Sequence, residues 1–380
     1  MEKPELWSSM SFLRNVVLAA ERKGGDLTEI CRDIGITKAQ LETPDAMIDM
    51  QQSIRVWDTC IRITGDPFLG LHLGETTSPA LAGMVGYLME SSPDLLTAFQ
   101  TATQFYRLLT NMTDIRVEIK DQEFRYYIEP IELWYQYSPE AARQIVEHMV
   151  SAFVHMVKLL SGRALFPLRL SLRFNRPGDL SAYQRVLRCE PAFSQSQNCL
   201  VYRLRDIQLP TIGHNPALNR LLKSLLEQEM QKARQRQSFS SEVRYMILRE
   251  YNTQLPQLQF IADKMNLSTR SLQRKLQADS TSFQQVLDSV KQELAMNMLQ
   301  DKNLTVNEIA YRLGYAEPSV FRRAFKKWTG FSPRKIGSEP TNPENRALIL
   351  KGLPTRKDFD EYVQDFESNN ADRKLPGRGE

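Results

Sequence analysis

LQFIADKMNLSTRSLQRKLQADSTSF, from Leu258 to Phe283, and LTVNEIAYRLGYAEPSVFRRAFKKWTGFSP, from Leu304 to Pro333, carry one pattern twice. Ile261-Ala262 returns as Ile309-Ala310 after 48 residues and Ser282 returns as Ser332 after 50, which marks an internal duplication. Each copy reads as two short helices joined by a tight turn. In the second, Thr305 followed three residues later by Glu308 is a capping box that starts a helix. Ile309 and Leu313 give that helix its inward stripe, and Gly314 follows where a left-handed backbone is least costly for glycine. The next helix opens over Ala316, Glu317, Pro318 and Ser319, because a proline in a first turn forfeits no intrahelical bond. Val320, Ala324, Phe325 and Trp328 are its expected buried face, with Arg322, Arg323, Lys326 and Lys327 outside. In the first copy Asn266 marks the turn and Ser268 the N-cap. Leu272 and Leu276 face inward there, and Arg270, Gln273, Arg274 and Lys275 are available outside.

A helix with Arg and Gln at exposed early positions can reach base edges in a major groove, Arg to guanine and Gln to adenine. A single copy would equally describe any amphipathic helix that shows its charges to water. Two in tandem favour DNA. Between them, Phe283, Val286, Leu287, Val290, Leu294 and Met298 recur at helical spacing, so Gln284 to Asp301 reads as one helix packed on both copies. Its 18 residues would measure about 27 Å. Successive major-groove faces lie roughly 34 Å apart, so a rigid connector of that size could present both second helices to one side of a duplex.

These residues resemble the DNA-binding domain of the AraC/XylS family of bacterial transcription regulators. The likeness rests on Ile261-Ala262, Leu267-Ser268, Leu272-x-Arg274 and Ser282-Phe283 in the first copy. In the second it rests on Ile309-Ala310, Leu313-Gly314-Tyr315, Phe321-x-Arg323, Phe325-Lys326 and Gly330-Phe331-Ser332-Pro333. By that resemblance Arg270, Gln273 and Arg274 would read bases from one helix, and Pro318, Ser319, Arg322 and Arg323 from the other. The sequence departs from the family at Asp279-Ser280, where a residue followed by glycine is usual, and at Ile336, where an aromatic is usual; Pro318 has no side-chain hydrogen bond to give. The resemblance further implies promoter DNA and RNA polymerase as partners, activation as the sign of control, and a small-molecule effector of unknown identity.

The charge is distributed to match. Residues 240–337 carry 15 Lys and Arg against 9 Asp and Glu, whereas residues 1–239 carry 27 of each sign. The excess of positive charge therefore falls where DNA contact is expected. The 380 residues suggest two or three domains, and 42% apolar with 25% charged residues is the composition of a soluble globular protein. No signal peptide or membrane span is indicated: Arg14-Asn15 interrupts the first apolar run, and Met149 to Leu160 is too short and contains His155 and Lys158. Cys31, Cys60, Cys189 and Cys199 have no paired spacing, so a reduced, cytoplasmic protein is expected.

Ahead of the duplication, residues 1–75 read as helical: Phe12, Val16, Val17 and Ala20 share a face, Gly24-Gly25 ends the run, and Asp26-x-x-Glu29 can cap the next helix. Ile30 to Leu41 has a weak helix-turn-helix look of its own but few outward basic residues, so it is read as structural. Residues 80–205 read as mixed α/β. Gly83 to Gly86 is expected as a turn, Ser92-Pro93 opens a helix to Leu109, and Pro139 to Leu160 is another helix. Ile115, Val117 and Ile119 alternate, as do Phe124, Tyr126 and Ile128, with Asp121-Gln122 between them as a hairpin turn. Leu168, Leu170, Leu172 and Phe174 make a further strand. Residues 12–210 resemble the arabinose-binding-like effector domain of one branch of the same family, through Gly83-Met-Val-Gly-Tyr87 with Ser92-Pro93 and Leu168-x-Leu-x-Leu172 with Phe193. That label does not single out arabinose.

Pro216 to Arg236 is a helix with Leu218, Leu221, Leu222, Leu225, Leu226 and Met230 along one side. Packing within its own domain and a homodimer contact through Leu218, Leu222 and Leu225 are both open readings. The expected organisation is an effector domain over 1–212, a dimer or signalling helix and linker over 213–240, a DNA-binding domain over 241–337 and a charged tail over 338–380. The fold class is α+β: a mixed α/β effector domain, then an all-α domain with two helix-turn-helix units joined by a linker helix. Tyr126, Tyr127, Trp134, Tyr135 and Tyr137 cluster in sequence and either line a ligand cavity or pack the core. No Gly-rich phosphate loop, HExxH or GxSxG occurs, and His148 and His155 are too far apart along a helix to share a metal. No catalytic residue, metal or cofactor is expected. The alternative is an enzyme fused to the helix-turn-helix domain, such as a DNA-repair methyl acceptor using cysteine, which would need a thiol whose neighbours lower its pKa.

Overall fold

The computed structural model describes residues 6–43, 46–236, 238–252, 254–299 and 304–338. The tail after residue 338 lies outside them, and so does the short helix that its sequence suggests near Phe359 to Phe366. The chain divides into two compact units, one ending at Tyr245 and the other beginning at Met246, with the helix Phe239–Arg249 running across the division.

The first unit is built on a four-stranded antiparallel sheet and a long helix. Strands β3 (Thr113–Lys120) and β4 (Glu123–Pro130) form the expected hairpin, with Ile115 opposite Ile128 and Val117 opposite Tyr126. Asp121 and Gln122 both take positive φ, 54° and 62°, which is the backbone a two-residue hairpin turn requires. Strand β6 (Cys199–Arg203) pairs with β4 on one side and with β5 (Arg169–Ser171) on the other, giving the order β3-β4-β6-β5. The helix Pro139–Ser161 crosses the face that carries Phe124, Tyr126 and Tyr202. Phe153 from that helix lies with its ring centre 4.6 Å from that of Tyr126 and 5.4 Å from that of Tyr202, and stacks on Phe99 at 4.0 Å.

Several local expectations are corrected here. Residues 1–75 are not wholly helical, because β1 (Trp7–Ser9) pairs with β2 (Met47–Asp49) in a small second sheet. Gly83 does turn, at φ 54°, but Gly86 sits inside the helix Met84–Glu90. It is a point of close approach: a Cβ there would lie 1.8 Å from the carbonyl oxygen of Pro79. The helix after Ser92-Pro93 is Leu95–Phe105, capped by Asp94. The strand expected from Leu168 to Phe174 is only three residues long.

Residues 27–42 do form two helices about Gly35, Leu27–Ile34 and Lys38–Glu42, burying Ile30, Ile34, Ile36 and Leu41. The helix Pro216–Arg236 packs Leu222 and Leu226 inward, and Asn219 anchors it by donating to the carbonyl of Leu88 at 3.2 Å. Leu218, Leu221 and Leu225 stay 42%, 57% and 38% exposed. The five leucines therefore divide between two sides: Leu222 and Leu226 belong to the core of their own unit, and Leu218, Leu221 and Leu225 face out.

In the second unit all described elements are helical. Helices Leu258–Lys264 and Thr269–Ala278 form the first pair, Val306–Arg312 and Pro318–Thr329 the second. The connector is Phe283–Met298, 16 residues with Ser282 as its N-cap, and buries Val286, Val290, Leu294 and Met298. The expected end at Asp301 lies outside the described residues.

Candidate nucleic-acid interface and effector cavity

The geometry of each helix pair follows from its punctuation. In the second pair, Thr305 Oγ1 accepts from the Glu308 amide at 3.3 Å while the Glu308 carboxylate accepts from the Thr305 amide at 2.8 Å. Gly314 then takes φ 76° and turns the chain into Pro318–Thr329, whose N-cap position is Glu317 with no side-chain cap bond. In the first pair Asn266, 48 residues before Gly314, takes the same left-handed role at φ 53°. Ser268 caps the following helix by accepting from the Ser271 amide at 3.2 Å. Asparagine is among the residues that tolerate this conformation.

The buried face of Pro318–Thr329 differs from expectation by one register step. Phe321 and Phe325 are fully buried, Ala324 and Trp328 are half-buried, and Val320 is 40% exposed. The i, i+4 pair of large rings wins the interior, with centroids 5.7 Å apart. The outward face is unaffected: Arg322, Arg323, Lys326 and Lys327 are all exposed, as are Arg270, Gln273, Arg274 and Lys275 in the first pair. Pro318 is half-buried, and Ser319 is exposed with its hydroxyl donating to Glu317 at 3.1 Å. Arg322 donates to Asn307 Oδ1 at 2.9 Å, which ties it back to the preceding helix. Arg270, Arg274, Arg323, Lys326 and Lys327 have no ion-pair partner among the described residues.

The first unit holds a cavity of about 110 Å³ between Phe12, the helices Met84–Glu90 and Leu95–Phe105, the long helix and the sheet. No Asp, Glu, Lys or Arg is among the described residues that line it. Of the five aromatics singled out in sequence, only Tyr126 reaches it. Tyr127, the next residue on β4, faces the opposite side of the sheet, where the Arg116 guanidinium lies 3.7 Å from its ring centre and its hydroxyl donates to Glu118 at 2.8 Å. Trp134 is core, its indole donating to the Met112 carbonyl at 3.1 Å, and Tyr135 lies under Arg173 at 4.1 Å. Tyr137 ends a short helix outside the cavity. The cluster is contiguous in sequence but is not one site.

Two buried titratable groups sit side by side on the long helix. His148 lines the cavity, and its burial against Phe12 and Trp57 pulls its pKa down to about 4. Glu147 points the other way, where it accepts from Arg143 at 2.8 Å and from the Tyr183 hydroxyl. Burial outweighs the guanidinium and holds its carboxyl up at about 7. The cysteines show the same effect: burial pushes Cys60 up to about 12, and Cys189 and Cys199 to about 11. These are thiols in the wrong direction for a nucleophile. No group of three or more His, Cys, Asp or Glu that could hold a metal occurs among the described residues, and no described helix is long and apolar enough to cross a membrane.

Two helix-turn-helix units on a common connector, each showing basic side chains from its second helix, define a transcription regulator of the helix-turn-helix class. The family model "Arabinose-binding domain of AraC transcription regulator, N-term" matches residues 24–211, and "Helix-turn-helix domain" matches residues 261–338. The chain belongs to the AraC family, with an arabinose-binding-like first domain. It is 27% identical over 302 residues to the ornithine utilization regulator of Pseudomonas aeruginosa, covering 79% of this chain and 87% of that one. It is 25% identical over 278 residues to the regulator VqsM of the same organism, covering 69% and 81%. A crystal structure of the transcriptional regulator CdpR from Pseudomonas aeruginosa aligns over 82% of this chain and 96% of that one at 21% identity, with a TM-score of 0.40.

Proposed function

We propose that this chain is a one-component activator that sets both helix-turn-helix units on promoter DNA in response to a small molecule taken into the cavity of its first unit. Base edges are read by Arg270, Gln273 and Arg274 from one helix and by Ser319, Arg322 and Arg323 from the other, while Lys275, Lys326 and Lys327 hold phosphates. The observation that carries this reading is the exposure, on the second helix of each duplicated unit, of guanidinium groups with no ion-pair partner among the described residues. A duplex selected from random sequence, then footprinted, tests it. Arg274→Ala and Arg323→Ala each lose a defined base preference; if both variants select and protect the wild-type sequence with wild-type affinity, the assignment fails.

The outward leucines Leu218, Leu221 and Leu225 support a homodimer through the helix Pro216–Arg236, in which Leu222 serves as core behind the contact rather than within it. Leu221→Asp should shift the chain from dimer to monomer in sedimentation, leaving the fold intact. Activation by placing RNA polymerase, a cytoplasmic location and the lack of a catalytic role follow the family. The thiol pKa values weigh against the cysteine-dependent alternative.

A further inference from the structure

We propose that the molecule accepted by this cavity is uncharged and mainly hydrocarbon or aromatic, with about ten non-hydrogen atoms. The proposal rests on reading the cavity as the effector site and says what chemistry fits there.

The lining decides the class. A charged amino acid or an anion would have to shed its hydration in a pocket whose described walls offer no opposite charge. A sugar would lose water from several hydroxyls against Phe99, Phe153, Met149 and their neighbours, which can return few hydrogen bonds. The polar groups on the wall are mostly committed. Ser78 Oγ accepts from the Ala80 amide at 3.3 Å, and the Tyr106 hydroxyl turns to the Met149 sulfur at 3.6 Å.

The tautomer of His148 follows from its neighbour. The Thr77 hydroxyl donates to the Leu73 carbonyl at 3.2 Å, so at 3.1 Å from His148 Nε2 its oxygen accepts, and Nε2 carries the ring proton. Nδ1 is buried without a hydrogen-bond partner among the described residues, out of reach of a molecule in the cavity. Neither ring nitrogen is therefore offered to a ligand, and the site selects for an apolar body.

The test titrates the full chain with 4-propylphenol, propylbenzene, L-lysine and L-arabinose, following binding by calorimetry. The expected result is binding of propylbenzene and of 4-propylphenol, and none of the two polar probes. Ala152→Phe, which fills the cavity, abolishes binding; Ala102→Phe replaces it if circular dichroism shows the first variant unfolded. The proposal is overturned if propylbenzene does not bind, if its binding survives cavity filling, or if lysine or arabinose binds in a way that filling abolishes. The effector reading is judged separately, on a reporter driven by the selected duplex. Filling that leaves reporter output unchanged sinks that reading whatever binds; filling that alters output while propylbenzene fails to bind sinks only the ligand class.

Discussion

The two units of this chain treat charge in opposite ways. In the first, acids and bases are matched with one another, Arg143 with the buried Glu147, the buried Asp66 with Lys23 and His72, and Arg185 with Glu75 at the surface. In the second, Arg270, Arg274, Arg323, Lys326 and Lys327 face water without ion-pair partners among the described residues. Pairing within the unit satisfies those charges without any other molecule. Unpaired surface cations leave their hydrogen bonds to be completed by another molecule, and a phosphate backbone completes them well. The contrast teaches that a near-neutral total charge conceals two chemistries, one made for enclosing and one for contact.

The sharpest way to break the comparison is through pH. Glu147, raised from 4.5 to about 7, is fully compatible with the fold below pH 4.5, and its contribution is lost as pH rises towards 7. His148, lowered from 6.5 to about 4, acts in reverse: its contribution is present above pH 6.5 and lost as pH falls towards 4. In the wild type the two slopes oppose each other. Thermal unfolding of Glu147→Gln should show stability lost on acidification, by about 2–3 kcal/mol across the window, and His148→Gln should show it lost on alkalinisation. Equal pH slopes in the two variants would mean that the burial of these two groups does not control this unit.

On the contact side, Arg274→Ala should cost about 1–3 kcal/mol of discrimination at one base pair. Lys326→Ala should weaken every sequence alike and lower the slope of log affinity against log salt by about 0.9. Quantitative footprinting over a salt series separates the two, and a sequence-dependent loss at Lys326 would erase the distinction between reading and holding. Gly314→Ala forces a β-carbon into the left-handed region and should destabilise the second unit by about 1–2 kcal/mol. The smallest effect is expected at Ser280, which takes φ 57° where the second copy has Gly330 at 77°. Ser280→Gly relieves that strain against the added freedom of the unfolded chain, a net gain of about 0.5 kcal/mol in denaturant titration.

The second unit was legible because its information is local. Caps, turns and stripes lie within a few residues of one another, and the duplication states each of them twice. Val320 fits the inward stripe by spacing as well as Phe321 does, and only the ring pair Phe321–Phe325 decides between them. The first unit was legible only where it is also local, as in the hairpin about Asp121-Gln122. Strand β6 went unseen because Cys199-Leu200-Val201-Tyr202 is buried with little alternation, so period-two patterning is muted. The cavity was out of reach for a similar reason. Its walls come from Phe12, the stretch from Thr77 to Met89, the stretch from Phe99 to Leu109 and the long helix, and nothing in the spacing of tyrosines says which side of a strand each will take.

The two copies are alike but not interchangeable. The outward helix of the first is 10 residues long and that of the second is 12, and they present different side chains, head to tail in a single chain. Whatever stretch of duplex they occupy together must therefore possess polarity: turned end for end it offers each helix the other's half, so orientation at a promoter is written into the polypeptide itself.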